Sequence, residues 1–105
     1  MINPNEIQEK LRLAGEEWAH ADAKASLLEE TKKTLKAKLM LKATGSSVAK
    51  CEIEAEASEE YETHIKGMVA AREEALIAKV CYDSLKTKAE LMRTMESTRR
   101  AEMRL

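Results

Sequence analysis

An all-α hairpin of two long, coiled-coil-like antiparallel helices is the fold this sequence predicts, and three observations predict it. Ala, Glu, Lys, Leu, Met and Arg dominate the 105 residues, against three Gly, one Pro, three aromatic residues and no Phe. Those are strong helix formers, and Val and Ile are too scattered for a succession of short strands with hairpin loops. Apolar residues recur at alternating steps of four and three through both halves of the chain. Between the halves lies one convincing break, Thr44-Gly45-Ser46-Ser47, where a lysine-rich stretch gives way to an acidic one.

The first helix is expected over residues 4–43. Asn3 is placed as its N-cap, Pro4 sits at the first helical position, and Glu6 stands three residues past the cap, where it can complete a capping box. Its apolar seam runs Ile7, Leu11, Ala14, Trp18, Ala21, Ala25, Leu28, Lys32, Leu35, Leu39, Lys42, with nine of eleven positions apolar. Gly15 costs this helix about 1 kcal/mol without breaking it.

The turn is expected over 44–47. Gly45 can take the left-handed conformation that ends a helix, and Ser46 or Ser47 can cap the next one. Lys36, Lys38 and Lys42 then face the negative end of the first helix dipole, while Glu52, Glu54 and Glu56 face the positive end of the second. Folding back at Gly45 and Ser46 sets residue i beside roughly residue 91 − i, so Lys36 approaches Glu56, Lys38 approaches Glu54, and Lys32 and Lys33 approach Glu59 and Glu60. The same arithmetic lays Trp18 between Ala70, Ala71 and Ala75, where small neighbours make room for it.

The second helix is expected to run unbroken over 48–103. From Ala57 its seam continues as Tyr61, His64, Met68, Ala71, Ala75, Ala78, Tyr82, Leu85, Ala89, Met92, with ten of eleven positions apolar. A second stripe, Ile65, Val69, Leu76, Ile77, Val80, Cys81 and Leu91, flanks the first, which is more apolar surface than one partner helix covers. Monomers rarely expose so large a patch, so a dimer of hairpins forming a four-helix bundle is expected. Trp18, Met68, Leu76, Val80, Tyr82 and Leu85 are its candidate interface residues. Residues 88–105 should project beyond the first helix as an amphipathic overhang. All of this fits a single domain, 1–105.

The net charge of −1 is unevenly spread, with eight basic against seven acidic residues over 1–45, four against nine over 46–85, and six against three over 86–105. Only the last segment is electropositive. The apolar run "MVAAREEALIAKVCY" is broken by Arg72, Glu73, Glu74 and Lys79, so no membrane span is expected. The N-terminus lacks a basic region followed by an apolar stretch, so a cytoplasmic location is expected. Cys51 and Cys81 stand ~45 Å apart along a continuous helix, and without metal-type spacing they are expected as small buried hydrophobes in a reducing compartment.

Little in the sequence carries chemistry. Glu17-Trp18-Ala19-His20 has the Glu-x-x-His spacing of di-iron bundles, but His20 falls two positions past the seam and should point outward. His64 lies on the seam, where a neighbouring side chain or a water is expected to satisfy it, a proton-sensitive role being the alternative. No Gly-rich phosphate loop, zinc-type cluster or nucleophile elbow is present. No catalytic residue, metal or cofactor is therefore assigned, and a non-enzymatic role is expected.

The C-terminal overhang offers the remaining contacts. Arg93, Arg99, Arg100 and Arg104 are candidates for a protein or nucleic-acid partner, and Met92, Met95 and Met103 suit an adaptable protein surface. Interleaved Glu90, Glu96 and Glu102, the lack of a stacking aromatic and the slightly acidic whole chain argue against a typical nucleic-acid footprint. A homodimer that binds a further protein is the first expectation, and accessory DNA binding is the second.

The second half, "EYETHIKGMVAAREEALIAKVCYDSLKTKAELMRTMESTRRAEMRL", resembles small helical proteins encoded in phage and prophage genomes near recombination and replication genes. The resemblance implies a phage-encoded helical accessory protein in a host cytoplasm. It assigns no residue a role.

Overall fold

The computed structural model describes residues 3–104, and all three of its regular elements are α-helices: α1 (Pro4–Lys42), α2 (Val48–Glu56) and α3 (Glu59–Met103). The molecule is a rod of 84 × 19 × 15 Å with a radius of gyration of 23.2 Å. A spherical domain of this length would have ~13 Å. Leu105, the last residue of the expected overhang, lies outside the described residues.

Pro4 opens α1, and the Asn3 side chain accepts the Asn5 N–H at 2.9 Å. This cap serves the second helical residue rather than the reciprocal box expected with Glu6. At the other end Ala43 turns the chain outward at φ −71° and ψ 149°, its N–H bonded to the Met40 carbonyl. No described residue has a positive φ, so the left-handed glycine expected at 45 is not how α1 ends. Gly45 is needed for another reason. A Cβ there would lie 2.9 Å from Lys50 Cβ and 3.0 Å from the Cys51 nitrogen, so the bend closes only around a residue without a side chain. Ser47 caps α2 by accepting the Lys50 N–H.

The unbroken second helix expected over 48–103 is interrupted at Ala57–Ser58. Ser58 adopts extended backbone (φ −70°, ψ 150°) and caps α3, its hydroxyl oxygen accepting the Tyr61 N–H at 3.2 Å and donating to the Ala55 carbonyl at 2.8 Å. The seam explains the break. Ala55 is buried, Ser58 is half-buried and Ala57 is exposed, whereas the heptad extrapolated back from Tyr61 would bury Ala57. The apolar phase slips by one residue here, and an interrupted helix absorbs the slip.

The break also changes the roles of the acidic residues. Glu54 and Glu56 fall in the last turn of the nine-residue α2, where the helix dipole does not favour them. Side-chain and backbone donors hold them instead: Lys36 Nζ lies 2.6 Å from Glu52 and 2.9 Å from Glu56, and Glu54 accepts the Thr44 N–H at 3.2 Å. Glu59, Glu60 and Glu62 occupy the first turn of α3, the favoured end of that dipole.

α1 and α3 pack antiparallel along a thin core. Among the described residues the buried side chains are Ile7 and six alanines, Ala25, Ala55, Ala71, Ala75, Ala78 and Ala89. Ala25, Ala71 and Ala75 form its centre, with Ala21 and Leu28 packed against them. Every expected seam position of α1 except Lys42, and every one of α3 from Tyr61 onward, is buried or half-buried.

The register drifts away from the expected one with distance from the turn. Lys36 meets Glu56 as anticipated, but Trp18 meets Tyr82 rather than the alanines around 70–75. Two effects add. The seam slips where α2 gives way to α3, and both rings lean toward their own helix N-termini, which in an antiparallel pair brings together residues further from the turn.

Candidate interaction surface

Four of the six expected interface residues, Trp18, Met68, Tyr82 and Leu85, are half-buried in the intrachain seam. The Trp18 and Tyr82 rings lie 5.4 Å apart, tilted by 35°, with Lys79 Nζ 6.0 Å from the Trp18 ring centre. The Tyr82 ring reaches Gly15, whose missing Cβ would contact it at 3.4 Å. An alanine at 15 would meet that ring in ordinary van der Waals contact, so Gly15 stays the tolerated cost that the sequence suggested.

Arg72 is the polar tie that the sequence concealed as an interruption of an apolar run. It donates to Glu29 through Nε at 2.9 Å and to Asp22 through Nη1 at 2.7 Å, and it reaches Ser26 at 3.4 Å. Its hydrogen bonds to Glu29 and Asp22 raise its already high pKa, so its charge is permanent. On the opposite flank Lys24 lies 3.8 Å from Glu74. Lys32, Lys33 and Lys38, expected to meet glutamates, make no ion pair among the described residues.

The remaining apolar stripe of α3 faces outward. Val69, Leu76, Ile77, Val80 and Leu91 are 55–67% exposed, so of the expected interface residues only Leu76 and Val80 stand free of the hairpin. A shallow groove of about 480 Å³ runs between the helices on the Lys24 side, with Ala14 and Ala21 on α1 and Ile77, Ala78 and Cys81 on α3 along its walls.

The overhang begins later than expected. Ala89 is buried and Met92 half-buried against the start of α1, so the uncovered part of α3 starts at Arg93 rather than residue 88. From Arg93 to Arg104 every residue is exposed, Met95 and Met103 included. Arg100 pairs with Glu96 at 3.7 Å, while Arg93, Arg99 and Arg104 make no ion pair among the described residues.

Glu17 and His20 are both exposed, and no group of three His, Cys, Asp or Glu side chains among the described residues is placed to hold a metal ion. His64 Nε2 lies 2.8 Å from the Leu28 carbonyl, to which it must donate, so the seam histidine ties α3 to the α1 backbone. Cys81 is exposed and Cys51 half-buried, both as free thiols, so neither is the buried hydrophobe expected from the sequence. No described helix is long and apolar enough to cross a membrane. No family model matches the chain, and no curated protein or solved structure is similar to it.

Proposed function

We propose that this is a non-enzymatic helical interaction protein that works as a dimer of hairpins and binds another protein through its exposed α3 surface and its Met- and Arg-rich end. One observation carries this reading: large aliphatic side chains lie on the outside of a molecule whose fully buried residues, among those described, are all alanines apart from Ile7. Burying a Val, Leu or Ile is worth about 1.5–3 kcal/mol, roughly two to four times the value of one methyl-sized group. The hairpin leaves its larger hydrophobic contribution unused, and association recovers it.

Sedimentation velocity at tens of micromolar tests the reading. An elongated dimer is expected, and a monomer at that concentration refutes it.

A second reading rests on the free arginines. Arg93, Arg99 and Arg104 on an exposed helical end can contact phosphates, with Arg100 released from Glu96. If they do, DNA affinity falls steeply with salt and with Arg99→Glu plus Arg100→Glu. Binding that is absent or indifferent to salt rejects it.

A further inference from the structure

The exposed side of α3 carries a second seam that reads the same in both directions. Ile77, Cys81, Ser84, Lys88, Leu91 and Met95 follow at steps of four, three, four, three and four, and all six are exposed. That is the spacing of a coiled-coil stripe, set on a different side of α3 from the alanine seam that α1 covers. Reversed about residue 86, the stripe superposes on itself with matching chemistry. Ile77 falls opposite Met95, Cys81 opposite Leu91, and Ser84 opposite Lys88, so apolar layers meet apolar layers and the polar layers meet at the centre.

From this self-matching stripe we propose that two copies of the chain pair α3 against α3 in antiparallel orientation, about a two-fold axis at residue 86. The inference rests on the dimer reading above and deepens it by naming the seam and the direction. Three further observations point to a second copy as the occupant. The pairing lays residues 93–103, which α1 does not reach, along the partner's 69–79, covering the exposed end and the mouth of the Ala14–Ala21 groove. It brings Arg99, which has no ion pair among the described residues, to the level of the partner's Glu73, one residue from the Glu74 whose own contact with Lys24 is long at 3.8 Å. One rim of the stripe, Val80, Thr87 and Thr94, is uncharged, and Thr94 donates its hydroxyl to the Glu90 carbonyl at 3.1 Å.

Ile77 to Met95 spans ~27 Å of helix, so the pair stacks four apolar layers, two on either side of the polar centre. A lysine at an inner position lowers stability while fixing register, as single polar residues do in coiled coils. In a parallel pair each Lys88 would meet the partner's Lys88 in one layer. The antiparallel pair sets it against Ser84.

Disulfide trapping decides the direction. In a chain carrying Cys51→Ala and Cys81→Ala, Ser84→Cys with Lys88→Cys should give a covalent dimer on mild oxidation, while Lys88→Cys alone should not, because the two 88 positions then lie beyond disulfide reach. Trapping by Lys88→Cys alone, or no trapping by the pair, overturns the proposal. Sedimentation supplies the independent arm. Ile77→Glu with Met95→Glu should halve the sedimenting mass with helicity retained, since both sites are exposed in the single hairpin. A variant that stays dimeric sinks this seam while leaving the dimer reading intact. A wild-type monomer sinks both.

Discussion

Gly45 and Gly67 lie in opposite surroundings, and they separate two reasons for which a glycine is kept. At Gly45 a Cβ would press on the Lys50 Cβ and the Cys51 backbone, atoms that cannot move without opening the bend. Gly45→Ala is expected to cost about 1–3 kcal/mol, the usual penalty of overpacking. At Gly67 nothing lies within 4 Å of the added carbon. Gly67→Ala there should stabilise by up to about 1 kcal/mol, because alanine loses less backbone entropy on entering a helix. Urea unfolding of both variants at one protein concentration checks the pair, and equal signs would disprove the distinction.

The charged ties have a pH signature. Hydrogen bonds to Glu52 and Glu56 raise the Lys36 pKa above the ordinary lysine range, and its charge is shared between two carboxylates. A folded pKa above the unfolded one stabilises fully below the ordinary lysine value, and the contribution disappears as pH climbs through the raised value. Glu9 behaves in the opposite sense. Its hydrogen bond and attraction to Arg12 hold the carboxyl below its usual range, so its contribution is present at neutral pH and is lost on acidification through that lowered value. Melting of Lys36→Met across pH should therefore differ from wild type at neutral pH and converge with it under strongly alkaline conditions. A constant difference would show that packing, not charge, is involved.

At the scale of elements, Ser58 decides where one helix stops and the next begins. Its hydroxyl serves both sides of the break, accepting from Tyr61 and donating to Ala55. Ser58→Ala removes the α3 cap and is expected to cost about 1 kcal/mol, measured by urea unfolding. A gain in stability would mean that α2 and α3 prefer to join and that the seam tolerates the phase slip. The break was legible in principle, since Ser58 followed by Glu59 and Glu60 has the form of an N-cap with an acidic first turn. Unbroken helix propensity around it hid the signal.

For the whole molecule, the long α3 and the shorter α1 set the division of labour. The stretch beyond Met92 takes no part in the hairpin core, so ending the chain at Met92 should leave the alanine seam in place. That truncation is expected to retain the helical signal per residue of the full chain while halving the sedimenting mass. A truncated chain that remained a dimer would place the association elsewhere on α3. The expected hairpin, the position of its bend and both seams were readable because periodicity reports which side of a helix is buried. The partner of Trp18 was not readable, because side-chain lean and a one-residue slip accumulate along 39 residues of α1.

Local sequence determined this protein's helices, its caps at Asn3 and Ser47 and the buried stripes on α1 and α3, because capping and periodicity act over a few residues. Tertiary structure alone decided the Arg72 clasp, the stacking of Trp18 on Tyr82 and the point at which α3 outruns α1. Each of those depends on the axial offset between two rods, and that offset is fixed by summed contacts over the whole length rather than by any short stretch of chain.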